Sequence, residues 1–233
     1  MSQPLLSTHA VPRGTALVVT LLVAAISSVT AVPQAPGTGS VRTGAAGEGR
    51  TGDGAVTLAI DAGRSDLGFT IHRSGETIDG RAHHFSGEVA VDPSRPSERA
   101  SVVLRVEAGS LETGNRIRDR KMRNSHLEVE RFPEIVFRST AITLSETGPA
   151  APLRAGEPRK ALVEGILALH GVDRSILLPA TIRYDSGSLT AEGDVTLKLT
   201  DHAIPIPRFL WIVLDDEVKV RFRFVASPRP VAD

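Results

Sequence analysis

Residues 108–140 read AGSLETGNRIRDRKMRNSHLEVERFPEIVFRST, the one long stretch in the second half of the chain that does not alternate. Six cations and five carboxylates fall between Glu112 and Glu134, and a Phe-Pro pair then hands over to a β-rich run. On either side strand follows strand. The segment is therefore expected to turn back across one end of a closed sheet and to help cover an apolar interior, with a short helical piece near residues 115–130.

Outward from it the pattern has period two. Phe69 and Ile71 oppose Thr70 and His72, and Phe85, Val89 and Val91 oppose Ser86, Glu88 and Ala90. Val102, Leu104 and Val106 alternate with Val103, Arg105 and Glu107. After the charged segment come residues 135–144, residues 162–169, and a run with Ile176, Leu178, Ala180, Ile182 and Tyr184 on one face. Val195, Leu197 and Leu199 alternate with Thr196, Lys198 and Thr200. The last run sets Val218, Val220, Phe222 and Phe224 against Lys219, Arg221 and Arg223. Such alternation marks strands with one buried and one wet face. Both faces of residues 162–169 are apolar, so their inward side stays open.

Turn chemistry separates the runs at Asp92-Pro93-Ser94-Arg95-Pro96, His170-Gly171-Val172-Asp173 and Ser186-Gly187. Residues 148–158 read as a loop rich in Pro, Gly and Ala. Short strands without helical crossovers point to an all-β, antiparallel architecture, a barrel or a sandwich. Closure removes exposed edges, and about eight strands enclose a space filled by side chains or by one small ligand.

The N-terminus has a different character. Arg13 precedes an apolar run over residues 16–26, and small residues follow up to Ala31. A positive flank, a run of about 7–15 apolar residues and a small-x-small site are the signature of a secretory signal peptide, so residues 1–31 are expected to be one. Cleavage after Ala35 and an uncleaved membrane anchor are the competing readings. Residues 32–54 have no apolar period and read as a flexible linker. Residues 55–226 form the barrel domain and 227–233 a tail. A secreted or periplasmic location follows.

Composition narrows the function. The 27 basic and 27 acidic residues balance, which excludes the one-sided field of a nucleic-acid binder. Cysteine is absent, so disulfides, thiolate metal sites and a Cys nucleophile are excluded. Aromatics make up only 4% of the chain, so an interior must be lined mostly by aliphatic side chains.

The central segment also carries a resemblance. Ser110-Leu111-Glu112-Thr113-Gly114-Asn115, Arg118-Asp119, Met122-Arg123 and Phe132-Pro133-Glu134-Ile135-Val136-Phe137 resemble the YceI-like family pattern S-x-x-T-G-N-x-x-R-D-x-x-L-R-S followed by Phe/Tyr-Pro and a strand ending in Phe. Ile60-Asp61 with Ser65 and Phe69, Gly80-Arg81 with Phe85-Ser86-Gly87, and His170-Gly171-Val172 are similar to further family elements in the same order. So are residues 199–204 and Asp216-Glu217-Val218-Lys219-Val220. The resemblance covers roughly residues 56–225. It implies a lipocalin-like antiparallel barrel, exported, holding a long apolar chain such as a polyisoprenoid, an isoprenoid quinone or a fatty-acid derivative. The chain departs from the pattern at Lys121 (usually His), at Asn124 (usually Ser) and at His126-Leu127-Glu128 (usually Asp-Phe-Phe).

The residues expected to line the interior are Leu104, Val106, Phe137, Val163, Leu167, Leu169, Ile182, Val195, Leu197, Phe222, Phe224 and Trp211. Trp211 sits in an apolar clump, residues 209–214, that reads either as a barrel plug or as a lid or membrane-facing tip; the plug is favoured. Asn115 and Asp119 are candidates to meet a ligand's polar head, but helix capping and ion pairing are the preferred explanation of both.

His83 and His84 are adjacent, so on a strand they face opposite sides. The remaining histidines lack metal-ligand spacing, and surface or hydrogen-bonded roles are expected of them. No Gly-x-Ser-x-Gly, His-Glu-x-x-His, P-loop or dinucleotide motif is present. Asp215, Asp216 and Glu217 read as solvated charges.

The expectation is thus a binding protein without catalytic residues, cofactor or metal. Its partners would be a hydrophobic small molecule and, transiently, a membrane; a dimer is compatible with the sequence. The rivals are a ligand-free structural domain with a dry core and, behind it, a hydrolase acting on lipids.

Overall fold

The computed structural model describes residues 54–73, 75–144, 151–206, 208–209 and 212–229. Residues 1–31, expected to be a leader, most of the expected linker, the end of the tail and Trp211 lie outside the described residues, as does part of the 148–158 loop.

The strands are β1 (Val56–Ile60), β2 (Asp66–Arg73), β3 (Glu76–Ala82), β4 (Phe85–Val91), β5 (Ser101–Glu107), β6 (Leu111–Glu112), β7 (Glu134–Leu144), β8 (Pro158–Leu169), β9 (Val172–Asp185), β10 (Ser188–Lys198), β11 (Arg208–Phe209) and β12 (Ile212–Ser227). The helix α1 (Arg116–Lys121) runs on into a wide π turn over Met122–His126. All strand pairings are antiparallel.

These strands make a closed barrel of eight staves. β1 and β2 form one stave, broken over residues 61–65, where the Asp61 carboxylate accepts the Gly63 N–H at 3.0 Å. β3 and β4 form the next, broken at His83-His84. The order around the wall continues through β5, β7, β8, β9, β10 and β12, and β12 closes the ring on both β1 and β2.

The turn residues do what their chemistry suggests. Leu169 pairs with Val172 across His170-Gly171, and Asp185 pairs with Ser188 across Ser186-Gly187. All four turn residues have positive φ, from 49° to 79°, the geometry that matches a two-residue turn to the strand twist. At Gly171 an added Cβ would also meet the Phe132 ring at 2.6 Å. The register slips once in β7, between Ser139 and Ala141, and once in β12, between Leu214 and Val218. Bulges of this kind bend a strand and sharpen its twist, which helps a wall to close.

Alternation places the apolar side chains inside. Along β8 the open question resolves in favour of Val163 and Leu167, which point inward, while Leu162 is 40% exposed. One end of the barrel is packed by Leu58, Val89, Val91, Leu189 and Ala226. Beyond it the buried Asp92 carboxylate accepts the Ser94 N–H and hydroxyl, at 2.9 and 2.5 Å. The opposite end is covered by the charged segment around α1.

Candidate functional site

The interior holds two cavities that meet end to end. The one above the packed end is narrow, about 170 Å³, and its walls are aliphatic and aromatic. The one under α1 is wide, about 670 Å³, within the roughly 300–1,000 Å³ range of small-molecule sites. Leu67, Leu104, Leu167, Leu197 and Val220 border both and form the waist between them.

The residues expected to line the interior divide between these spaces. Phe137, Val163, Ile182, Val195, Phe222 and Phe224 border the narrow cavity, Val106 and Leu169 the wide one, and Leu104, Leu167 and Leu197 both. Sequence reading missed much of the wide cavity: Leu67, Phe69, Ile71 and Ile78 belong to it. The alternation of β2 carries the signal for the first three. Ile78 sits in β3, whose sequence ETIDGRA has too few apolar residues to declare a strand.

Aromatic rings shape the walls. Phe222 stacks on Phe224 with centroids 5.5 Å apart, and Phe224 meets Phe85 edge-on at 5.7 Å. Phe69, Phe137 and Phe222 each lie against a glycine of the neighbouring strand, Gly80, Gly165 and Gly193 respectively.

The cover over the wide cavity is built by hydrogen bonds within the charged segment, residues 109–123. Asn115 caps α1, its side-chain oxygen accepting the Ile117 and Arg118 N–H groups at 3.1 Å each. Asp119 is buried and does not border the cavity; its carboxylate accepts the Thr113 N–H at 2.9 Å and the Thr113 hydroxyl at 2.5 Å. Arg118 donates to the Thr113 hydroxyl and carbonyl at 2.7 and 2.9 Å. Arg123 donates to the Gly109 and Leu111 carbonyls. The Thr-Gly-Asn and Arg-Asp elements are thus bonded to one another. Asn115 borders the wide cavity as well as capping the helix.

The mouth of the wide cavity is polar and charged. Arg73, Glu76, Thr113, Arg118, Lys121 and Lys198 border it beside Ile117, which is 83% exposed. Arg73 pairs with Glu76. Asp216 is not merely solvated, because its carboxylate accepts the Thr200 N–H and hydroxyl at 2.9 and 2.6 Å. Those bonds, the hydroxyl's first, hold its carboxyl below the usual range.

Among the described residues the histidines form no common cluster; His170 and His202 come close, the His170 Nδ1 lying 3.2 Å from the His202 carbonyl oxygen. His83 pairs with Glu112 at 2.6 Å and His84 with Glu107 at 3.0 Å. His72 bonds Thr77, and His170 lies 3.4 Å from Glu128. No group of His, Asp and Glu able to hold a metal ion occurs among the described residues.

His126 departs from what was expected of a histidine here. It borders the wide cavity, yet both ring nitrogens are shielded from water and have no hydrogen-bond partner among the described residues. Burial, with the Lys121 ammonium adding to it, holds the imidazole pKa below its ordinary range and so favours the neutral ring.

A family model described as the YceI-like domain matches residues 58–226. No curated protein matches the chain. Among solved structures, BcnA of Burkholderia cenocepacia is similar at 19% identity and a TM-score of 0.61, over 72% of this chain and 99% of that one. A polyisoprenoid binding domain from Saccharophagus degradans, implicated in plant cell wall breakdown, is similar at 18% identity and a TM-score of 0.59, over 74% and 98%. A Campylobacter jejuni YCEI protein follows at 16% and 0.53, over 68% and 90%. At these identities the likeness is one of fold.

Proposed function

The chain belongs to the YceI-like domain family, and from that membership we propose that it is an exported binding protein, not an enzyme, holding one amphiphilic lipid inside its barrel. The ligand class is a long apolar chain with a small polar head: a polyisoprenoid, an isoprenoid quinone or an acyl-chain derivative.

One observation carries the reading. A narrow apolar cavity and a wider one with a polar, charged mouth lie next to each other inside the barrel and share aliphatic lining side chains. A chain drawn into that interior leaves water at about 25 cal/mol per Å² of apolar surface, or about 0.8 kcal/mol per methylene. A head group at the polar mouth keeps its hydration or trades it for hydrogen bonds. The shape therefore favours a tapering amphiphile over a compact one. The polyisoprenoid binding domain from Saccharophagus degradans has a similar fold, which supports the isoprenoid end of this range. Export rests on the leader read at residues 1–31, with carriage or sequestration of the lipid outside the cytoplasm as the role.

Organic extraction of the purified full-length protein, with native mass spectrometry before and after, tests the reading. A bound mass lost on extraction and regained with a long-chain prenyl quinone is expected. Recovery of no lipid, with no uptake of the added quinone, would leave a domain with a dry interior instead.

A further inference from the structure

The helix at the mouth of the wide cavity has an outer surface of one sign. α1 carries Arg116, Arg118, Arg120 and Lys121, and its one carboxylate, Asp119, is buried against Thr113. Arg116 and Arg120 are exposed, and neither is engaged in an ion pair among the described residues. They stand four residues apart and share a face. Nearby acids are engaged elsewhere, Glu76 with Arg73 and Glu112 with His83.

Beside that face, next to Arg116 in sequence and one turn from Arg120, stands Ile117. Single exposed apolar side chains are ordinary, and at 83% exposure this one would need no comment on the barrel wall. Its place is what matters: it borders the mouth through which an apolar ligand must pass, and cations flank it. The cap formed by Asn115 holds the start of the helix, and with it this side chain, in position.

We propose that α1 docks the barrel on an anionic phospholipid bilayer, with Ile117 set among the head groups and Arg116 and Arg120 over the phosphates. The mouth then faces the lipid, and the ligand's chain passes between bilayer and barrel without crossing water. This rests on the lipid-binding reading above. Charge complementarity selects the occupant: basic side chains beside an anionic surface add up in affinity and are screened by salt, while one isoleucine alone would not hold a neutral bilayer.

The absence of cysteine from the chain allows a local test on the full-length protein. A polarity-sensitive fluorophore is attached at I117C and, in a separate variant, at L177C on the outer wall of β9. Each is titrated with phosphatidylcholine vesicles and with vesicles of phosphatidylcholine and phosphatidylglycerol. The label at 117 is expected to shift to the blue with anionic vesicles only, and to lose the shift in high salt. The label at 177 is expected to stay unchanged. The double variant R116E/R120E should weaken the vesicle affinity read at 117 by about tenfold or more, with an unaltered circular dichroism spectrum.

No shift at 117, an equal shift at 177, or indifference to the charge reversal overturns docking through α1. Native mass spectrometry on the same samples separates the two ideas. Failed docking on a protein that still carries lipid overturns docking alone. A shift at 117 on a protein that carries and accepts no lipid supports docking and removes the binding reading.

Discussion

Phe137 lies across Gly165 so closely that a Cβ on the glycine would stand 2.4 Å from the ring and 2.5 Å from the Arg138 carbonyl oxygen. The two residues sit on adjacent strands, β7 and β8, and the missing side chain is what lets the ring lie flat against the wall. The same relation recurs between Phe69 and Gly80 and between Phe222 and Gly193, where an added Cβ would likewise run into the ring. A ring laid over a strand glycine covers exposed backbone and lets the sheet curve.

Gly165→Ala should therefore overpack the wall. A destabilisation of about 1–3 kcal/mol is expected, read as a lower midpoint in urea. Adding Phe137→Leu to make room should recover part of that loss. A Gly165→Ala variant as stable as the parent would show that the ring and the β7 backbone both give way without cost.

The waist between the cavities offers a test of ligand length. Leu197 borders both spaces, and Leu197→Trp should close the passage. Uptake of long prenyl chains should fall about tenfold or more, whereas chains short enough for the wide cavity should bind as before; each methylene denied to the narrow cavity forfeits about 0.8 kcal/mol. Native mass spectrometry across a series of chain lengths reads the outcome, and a thermal midpoint close to the parent's separates blocking from misfolding. Unchanged binding of the longest chains would place the ligand elsewhere.

Asp119 is predicted to act through the cover. Asp119→Ala strips the partly buried Thr113 N–H and hydroxyl of their acceptor, a loss of about 1 kcal/mol or more, and should speed proteolytic cleavage near residues 115–127. Asn115→Ala removes the helix cap and should cost about 1 kcal/mol. If Asp119→Ala instead left stability intact and weakened ligand binding, a direct contact with the ligand would have to replace the structural role.

Stability should fall with acid in two separate windows. His126 and the almost fully buried His202 both have pKa values lowered chiefly by burial. The unfolded chain therefore binds more protons than the folded one below about pH 6.5. Their contribution is complete above that pH and is lost as pH falls towards the folded values. Asp92 and Asp216 are held low mainly by hydrogen bonds from Ser94 and Thr200. Their contribution is present above the unfolded value of 3.8 and disappears only below it. Thermal midpoints between pH 7.5 and 5 should decline for the parent. His126→Leu, which removes two buried nitrogens without partners, should raise the midpoint and flatten the decline. A steeper decline in that variant would mean that the imidazole is stabilised by its charge.

Much of the fold was legible because period-two alternation reports which side of a strand meets water. The last strand, with Val218, Val220, Phe222 and Phe224 on one side, needs no partner to declare its inward face. The turns at His170-Gly171 and Ser186-Gly187 were legible for a similar reason: positive φ is a local demand, met by local residues. β3 was not, since ETIDGRA is a strand only because β2 lies beside it.

An alternating aliphatic lining, a charged segment without strand character and family motifs spanning the domain are all written in the order of the residues. Which nitrogens are left without partners, where two cavities meet, and which rings cover which glycines were decided only by the tertiary structure. Alternation is a property of one strand, whereas the volume enclosed, the shielding of His126 and the pairing of Phe137 with Gly165 arise between strands, once closure brings residues distant in sequence within contact.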